Sequence, residues 1–343
     1  FPCDVAAGRS AVPPSSVDKL RPGDIAVVAA LGDSLTAGNG AAATNIFQVY
    51  TENRGVSWSI GGQGTWREFL TLPNILKVFN PNIIGYSLGD SLSHETKSQF
   101  NTAEIGAMAR DLPFMARELV KRMKQDKRVD IKNDWKIITI LIGSNDFCVD
   151  ICYRDTSKTP ERHRNSLLRT LDILIENLPR TLVNLVITPN VGNILPNFKR
   201  LPPLCWITHR TECPCILGSR FQNKLKYFIS IIEDCQKVEM EIAQHPKYQT
   251  DDFAVVAQPF TLNITFPEYV NSNGERLTDI SYLSEDCFHF SQKGYARAAN
   301  SLWNNMMEPV GFKSTNWLNE FQLIECPTDE HPYIFTNRNS HFR

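Results

Sequence analysis

Residues Ile25-Ala26-Val27-Val28-Ala29-Ala30-Leu31 run straight into Gly32-Asp33-Ser34-Leu35-Thr36-Ala37-Gly38. The seven apolar residues follow a Pro22-Gly23 turn, and no polar residue alternates among them. A strand with one wet face alternates; an unbroken apolar run of this length suits a strand buried on both faces of a parallel sheet. Residues 137–142 (IITILI), 182–188 (LVNLVIT) and 253–257 (FAVVA) read the same way, and 83–87 is a weaker fifth candidate. Between these runs, apolar residues at helical spacing predict helices over 113–124, 161–177, 220–242 and 292–307, each with one face for the core. Strands alternating with helices through right-handed crossovers make an α/β fold, a three-layer α/β/α sandwich around a parallel, roughly five-stranded sheet.

At 343 residues the chain sits near the upper end for one domain. The expected division is a lead-in over 1–23, one large domain over 24–310, and an irregular extension over 311–343 that packs on the domain or leads to a linker. Basic residues (36) nearly cancel acidic ones (37), so no long-range field points to nucleic acid or to an anionic membrane surface. Any membrane contact is expected to be apolar and local. No apolar run approaches the ~20 residues that span a bilayer. The chain opens on Phe1 without a signal-like apolar stretch and reads as a processed or excised segment.

Nine cysteines fit an oxidising compartment. His209 with Cys213-Pro214-Cys215 invites a metal site, but the paired C-x-x-C spacing of structural zinc is missing, so disulfides are favoured. Cys148 with Cys152 and Cys3 with Cys326 are the expected pairs, and the odd count leaves one thiol over. Residues 196–215 hold four prolines and three cysteines and read as a stapled insertion without regular structure. Asn263-Ile264-Thr265 is a candidate glycosylation sequon.

Four segments carry candidate chemistry. In the first, Ser34 stands where a buried strand turns toward a helix, at the strand end where sites form in open parallel sheets. Its backbone N–H is available to an oxyanion there, although Asp33-Ser34 as a plain helix cap reads equally well. Gly89-Asp90-Ser91-Leu92 repeats the tetrapeptide without a long apolar strand before it, and is read as a turn. The second is Asp286-Cys287-Phe288-His289, where an aspartate three residues before a histidine can hold its far nitrogen, as a general base requires. Third, Gly143-Ser144-Asn145-Asp146 ends the strongest central strand and can aim the Asn145 amide at a developing oxyanion. In the fourth, Asn101-Thr102-Ala103-Glu104-Ile105-Gly106, Gly106 can lend a further N–H.

In this order the four segments resemble the blocks of the GDSL, or SGNH, hydrolases over about residues 25–307. The nucleophile block is matched at Ser34, the second at Asn101 and Gly106, the third at Gly143, Asn145 and Asp146, and the last at Asp286 and His289. Ala103 departs from the glycine many members carry. The order also rejects Ser91, which lies ten positions before Asn101. Within the family the chain looks most like the phospholipase B branch, on the context of Val27–Gly40, of 54–62 (RGVSWSIGG), of 101–123 and of 143–148.

That resemblance implies a flavodoxin-like SGNH fold and acyl transfer to Ser34, with His289 as base and Asp286 steadying it. Oxyanion donors would be the Ser34 and Gly106 N–H groups and the Asn145 amide, with no metal or organic cofactor. It implies a phospholipase and lysophospholipase, with general lipase activity an open extension, on a secreted or membrane-anchored ectodomain built of repeats. Its partner would be a phospholipid or other acyl ester at a lipid interface. An esterase for carbohydrate or other small esters and a catalytically silent repeat are the alternatives. Residues 196–217, with Phe198, Trp206 and Ile207, are expected either to rim an acyl pocket or touch lipid, or to pack as a stapled loop.

Overall fold

A computed structural model describes residues 1–340. Four parallel strands, β1 (Ile25–Gly32), β2 (Trp135–Leu141), β3 (Thr181–Val186) and β4 (Phe253–Gln258), lie side by side in chain order. The helices are α1 (Ser34–Ala37), α2 (Leu72–Phe79), α3 (Leu112–Gln125), α4 (Thr159–Asn177), α5 (Val191–Ile194), α6 (Pro203–Glu212), α7 (Pro214–Leu217), α8 (Leu225–Ala243) and α9 (Gln292–Met307). A short antiparallel hairpin, β5 (Glu268–Val270) and β6 (Arg276–Thr278), stands apart from the sheet.

The period-2 geometry of strands divides the core into two layers. Val27, Ala29 and Leu31 of β1, with Ile138 and Ile140 of β2, pack against α3, α4 and α8. Val28 and Ala30, with Ile137 and Leu141, face α2 and α9 on the other side. Every residue of these strands is therefore in the interior or close to it, which is why their sequences run apolar without alternation.

The expected fifth strand does not form. Ile84 makes two backbone bonds with β1, Ile84 N to Ala26 O at 3.0 Å and Val28 N to Ile84 O at 2.9 Å. Gly85 then takes φ +98°, where a Cβ would sit 2.3 Å from the Val28 carbonyl, and the chain leaves the edge. Phe100 and Thr102 complete the same edge through Ala30 N to Phe100 O and Thr102 N to Ala30 O. Two short segments thus do the work of one strand. The chain crosses from this edge of β1 to β2 on its other side, so the carboxyl ends of β1 and β2 flank a topological switch point.

Two expectations are corrected within the insertion. Residues 203–212 form α6, with Pro203 in the first turn, where its missing N–H costs nothing. Cys148 pairs with Cys213 and Cys152 with Cys215, not with each other. Cys205 pairs with Cys287 and Cys3 with Cys326, leaving Cys235 free and buried.

Helix α9 is buried nearly all round despite its polar sequence. Asn300 and Asn304 donate to the Leu323 carbonyl at 2.9 Å each, and Trp303 donates to Glu325 O at 2.7 Å. What looks like a solvent face is the bed for an extended C-terminal segment.

Candidate functional site

Strand β1 ends at Gly32, and Asp33 caps the single turn α1 by accepting from Leu35 N at 3.0 Å. Capping and chemistry coexist here. Ser34 is the first residue of that turn, so its N–H has no intrahelical acceptor. Its Oγ lies 2.9 Å from His289 Nε2. The other ring nitrogen, Nδ1, is 2.5 Å from Asp286 Oδ2. Asp286 Oδ1 accepts the backbone N–H groups of Phe288 and His289, both at 3.0 Å, so one carboxylate shapes the loop and orients the ring. All three side chains are buried.

Three carboxyls act on this histidine, Asp286, Glu212 and Asp33, and the surroundings of Asp286 and Asp33 separate those two. Burial pushes Asp286 up, but its bond and charge interaction with His289 outweigh that and hold it below its ordinary value. Burial pulls His289 down, and the same bond and charge hold it above its ordinary value, with Glu212 and Asp33 adding to the effect. Asp33 has one oxygen without a partner and is raised to about 7 by burial. Asp286 is thus the carboxylate held ionised against the ring.

Asn145 follows the end of β2, next to β1 in the sheet. One N–H of its amide donates to Ala107 O at 2.9 Å, leaving the second uncommitted. Glu104 N donates to Gly32 O, which ties the Asn101–Gly106 segment to the end of β1. Gly106 takes φ +72° with nothing within 4 Å of a Cβ position and is exposed; the carbonyl of its neighbour Ala107 is the one that accepts from Asn145. Asn101 donates to the Thr36 carbonyl at 3.0 Å and accepts from Ala103 N at 3.1 Å.

Asp33, Ser34, Ser144 and Asn145 supply the polar lining of a cavity that is open to solvent. The rest of its wall is apolar, including Val191, Ile194, Leu195, Phe198, Phe288 and Phe290. Ser91 is buried elsewhere, its carbonyl accepting from Arg54 Nε at 2.9 Å.

Two buried groups escaped the sequence reading. Arg54 pairs with Glu52 at 2.6 Å and donates to the carbonyls of Asn101 and Ala103 at 3.2 and 2.7 Å, binding the second block from beneath. Glu239 bridges His163 Nε2 at 2.8 Å and Thr188, whose side chain leaves only 3.0 Å for a Cβ on Gly143. The one available signal was the charged Glu52-Asn53-Arg54 run inside a glycine-rich, otherwise uncharged stretch.

The profile of the GDSL-like lipase/acylhydrolase family matches residues 28–302. The chain belongs to this family. It is 40% identical over 345 residues to "Phospholipase B1, membrane-associated" of Rattus norvegicus, covering 99% of this chain and 23% of that protein. The Mus musculus protein of the same name is 39% identical over 345 residues, covering 99% and 22%. That of Homo sapiens is 40% identical over 331 residues, covering 95% and 22%. The chain therefore spans less than a quarter of the length of these curated relatives. Among the described residues no helix is long and apolar enough to cross a membrane. Both cysteines of the Cys213-Pro214-Cys215 cluster are in disulfides, which removes the ligands a metal site there would need.

Proposed function

We propose that this chain hydrolyses acyl esters of phospholipids and lysophospholipids through an acyl-serine intermediate. The observation that carries the reading is the continuous Ser34–His289–Asp286 chain of contacts opening on an apolar cavity. His289 takes the Ser34 proton as Oγ attacks the ester carbonyl, and Asp286 stabilises the imidazolium. The Ser34 N–H, the free N–H of Asn145 and the Gly106 N–H hold the oxyanion. Collapse expels the alcohol with the proton from His289; water then attacks the acyl carbon and gives its proton to the same ring, which returns it to Ser34 Oγ as the acyl–Oγ bond breaks and the fatty acid leaves. The relatives' name, phospholipase B1, supports the substrate class. We assign the chemistry to residues 24–310, with 1–23 as a lead-in and 311–343 as a C-terminal extension.

An extracellular or cell-surface setting fits four disulfides and the exposed Asn263 of the sequon, which we take as a glycosylation site. The test is fatty-acid release from phosphatidylcholine, lysophosphatidylcholine, triacylglycerol and acetylated sugars, by wild type and Ser34→Ala. Release from the two phospholipids, lost in the variant, is expected. Preference for acetylated sugars would replace the lipid assignment, and release by Ser34→Ala would remove the nucleophile.

A further inference from the structure

Helix α6 is amphipathic in the wrong sense for a surface helix. Its inner face is Cys205, Thr208 and His209, all buried, while Leu204, Trp206 and Ile207 are 45%, 58% and 58% exposed. A soluble surface helix ordinarily turns its large apolar residues inward. The inner face is committed to the candidate site. Thr208 Oγ1 donates to Asp286 O at 2.6 Å, His209 Nε2 meets Cys287 O at 2.7 Å, and Cys205 is disulfide-bonded to Cys287. Three ties therefore fasten α6 to the loop that carries Asp286 and His289. Phe198 of the cavity wall packs on the His209 ring, centroids 6.0 Å apart, and also lines a neighbouring groove with Trp206, so α6 adjoins the cavity.

We infer that α6 docks this chain on a phospholipid surface, with Leu204, Trp206 and Ile207 entering the lipid and the Asp286–His289 loop clamped behind them. This rests on the phospholipid reading above and names the surface from which that site draws its substrate. Charge complementarity selects the occupant. Lys199 and Arg276 are ion-paired with Glu268 and Arg200 with Glu275, which leaves Arg210, on α6 itself, as the cation beside the patch with no ion pair among the described residues. Arg210 lies 3.2 Å from the centroid of the Trp206 ring, a cation and aromatic pairing suited to the depth of phosphate headgroups. A second copy docked face to face would bring two Arg210 guanidinium groups toward each other. A lipid phosphate instead neutralises Arg210, while an acyl chain passes to the cavity without crossing water.

The test uses the full chain and three readouts. Ser34→Ala protein, which turns nothing over, is sedimented with vesicles of phosphatidylcholine and phosphatidylserine, with and without Trp206→Ser/Ile207→Ser. Vesicle affinity is expected to fall on the order of tenfold or more in the double variant. In the Ser34 background, vesicle hydrolysis should fall equally while p-nitrophenyl butyrate hydrolysis stays within about twofold. Unchanged vesicle binding, or equal loss on both substrates, would overturn the inference. An environment-sensitive fluorophore on Ile207→Cys avoids any folding defect of the double variant, because Cys235 is buried. A blue shift on adding vesicles is expected; an unmoved spectrum overturns docking, as does a dimer in light scattering that the double variant splits with vesicle binding intact. If wild type hydrolyses neither ester while the fluorophore still shifts, the hydrolase reading falls and the docking surface stands.

Discussion

Replacing Asp286 with asparagine isolates the electrostatic half of the candidate triad. In the wild type the imidazole is buried, which disfavours its charged form, but the 2.5 Å contact with Asp286 more than compensates and raises its pKa. Hydrolysis needs the neutral ring, so kcat/KM should climb with pH through a midpoint above the ordinary histidine value of about 6.5. In Asp286→Asn the side-chain oxygen can still accept from the Phe288 and His289 N–H groups, so the loop keeps its shape. The charge is gone, burial acts with less opposition, and the midpoint should move down. The plateau should fall on the order of 10⁴-fold, because nothing then holds the ring tautomer or its positive charge. That factor is about 5.4 kcal/mol of transition-state stabilisation.

Stability should respond with its own sign. A raised histidine pKa contributes stability below about pH 6.5 that is lost as pH rises through the folded value. The depressed Asp286 contributes stability above about pH 4 that is lost as pH falls through its folded value. The melting temperature of Asp286→Asn should thus lag the wild type most between those limits. The assay is initial-rate hydrolysis of a monomeric short-chain ester across pH, beside thermal melts in the same buffers. An acid limb that stays put or moves up, with activity within about tenfold of wild type, would refute the assignment and point to Asp33 as the partner.

Three further outcomes can be checked on the same protein. Ser34→Ala should lower kcat by at least ~10⁴ with an unchanged melting temperature, while Ser91→Ala, whose hydroxyl has no part in the cavity, should keep turnover within about twofold; fluorophosphonate labelling reads both. Asn145→Ala should lower kcat by about 10²–10³ with little change in KM, measured by steady-state kinetics. Arg54→Met should destabilise by about 3–5 kcal/mol in denaturant titration by leaving Glu52 buried and unpaired, and adding Glu52→Gln should recover part of it.

The central strands were legible because burial on both faces leaves an unmistakable apolar run, and α9 was bounded at the residues seen in the structure. The fifth strand was not, because Ile84 makes only two bonds before Gly85 turns away, and two bonds leave no periodicity. Helix α6 was hidden by prolines and cysteines that resemble loop composition, and by its inverted burial, which defeats the usual search for an inward apolar face. The pairing of Cys148 with Cys152 failed because nearness in sequence is a poor guide once both residues lie in one turn facing the Cys213–Cys215 segment. Ser34, Asp286 and His289 were readable because their spacing is local or marks a strand end. Arg54 was not: its partners are carbonyls from two distant segments, and carbonyls have no letter in a sequence.

The two copies of Gly-Asp-Ser-Leu show what a motif contributes and what the fold contributes. At Ser34 the tetrapeptide begins on the last residue of the eight-residue strand β1, so the serine emerges at the sheet's carboxyl edge beside Asn145 and within reach of His289. At Ser91 the same letters lie in a loop, with Gly89 at φ +62°, Asp90 accepting from Asn53 Nδ2 at 2.8 Å and the Ser91 carbonyl held by Arg54. Arg54 also holds Asn101 and Ala103, so the second copy braces the segment that leads to Gly106. A mutation at Ser91 that disturbed its backbone should therefore act through the Asn101–Gly106 segment, lowering kcat while leaving fluorophosphonate labelling of Ser34 intact. The identical hydroxyls are told apart by what precedes them, a strand that delivers one to a histidine and a turn that buries the other without a hydrogen-bond partner.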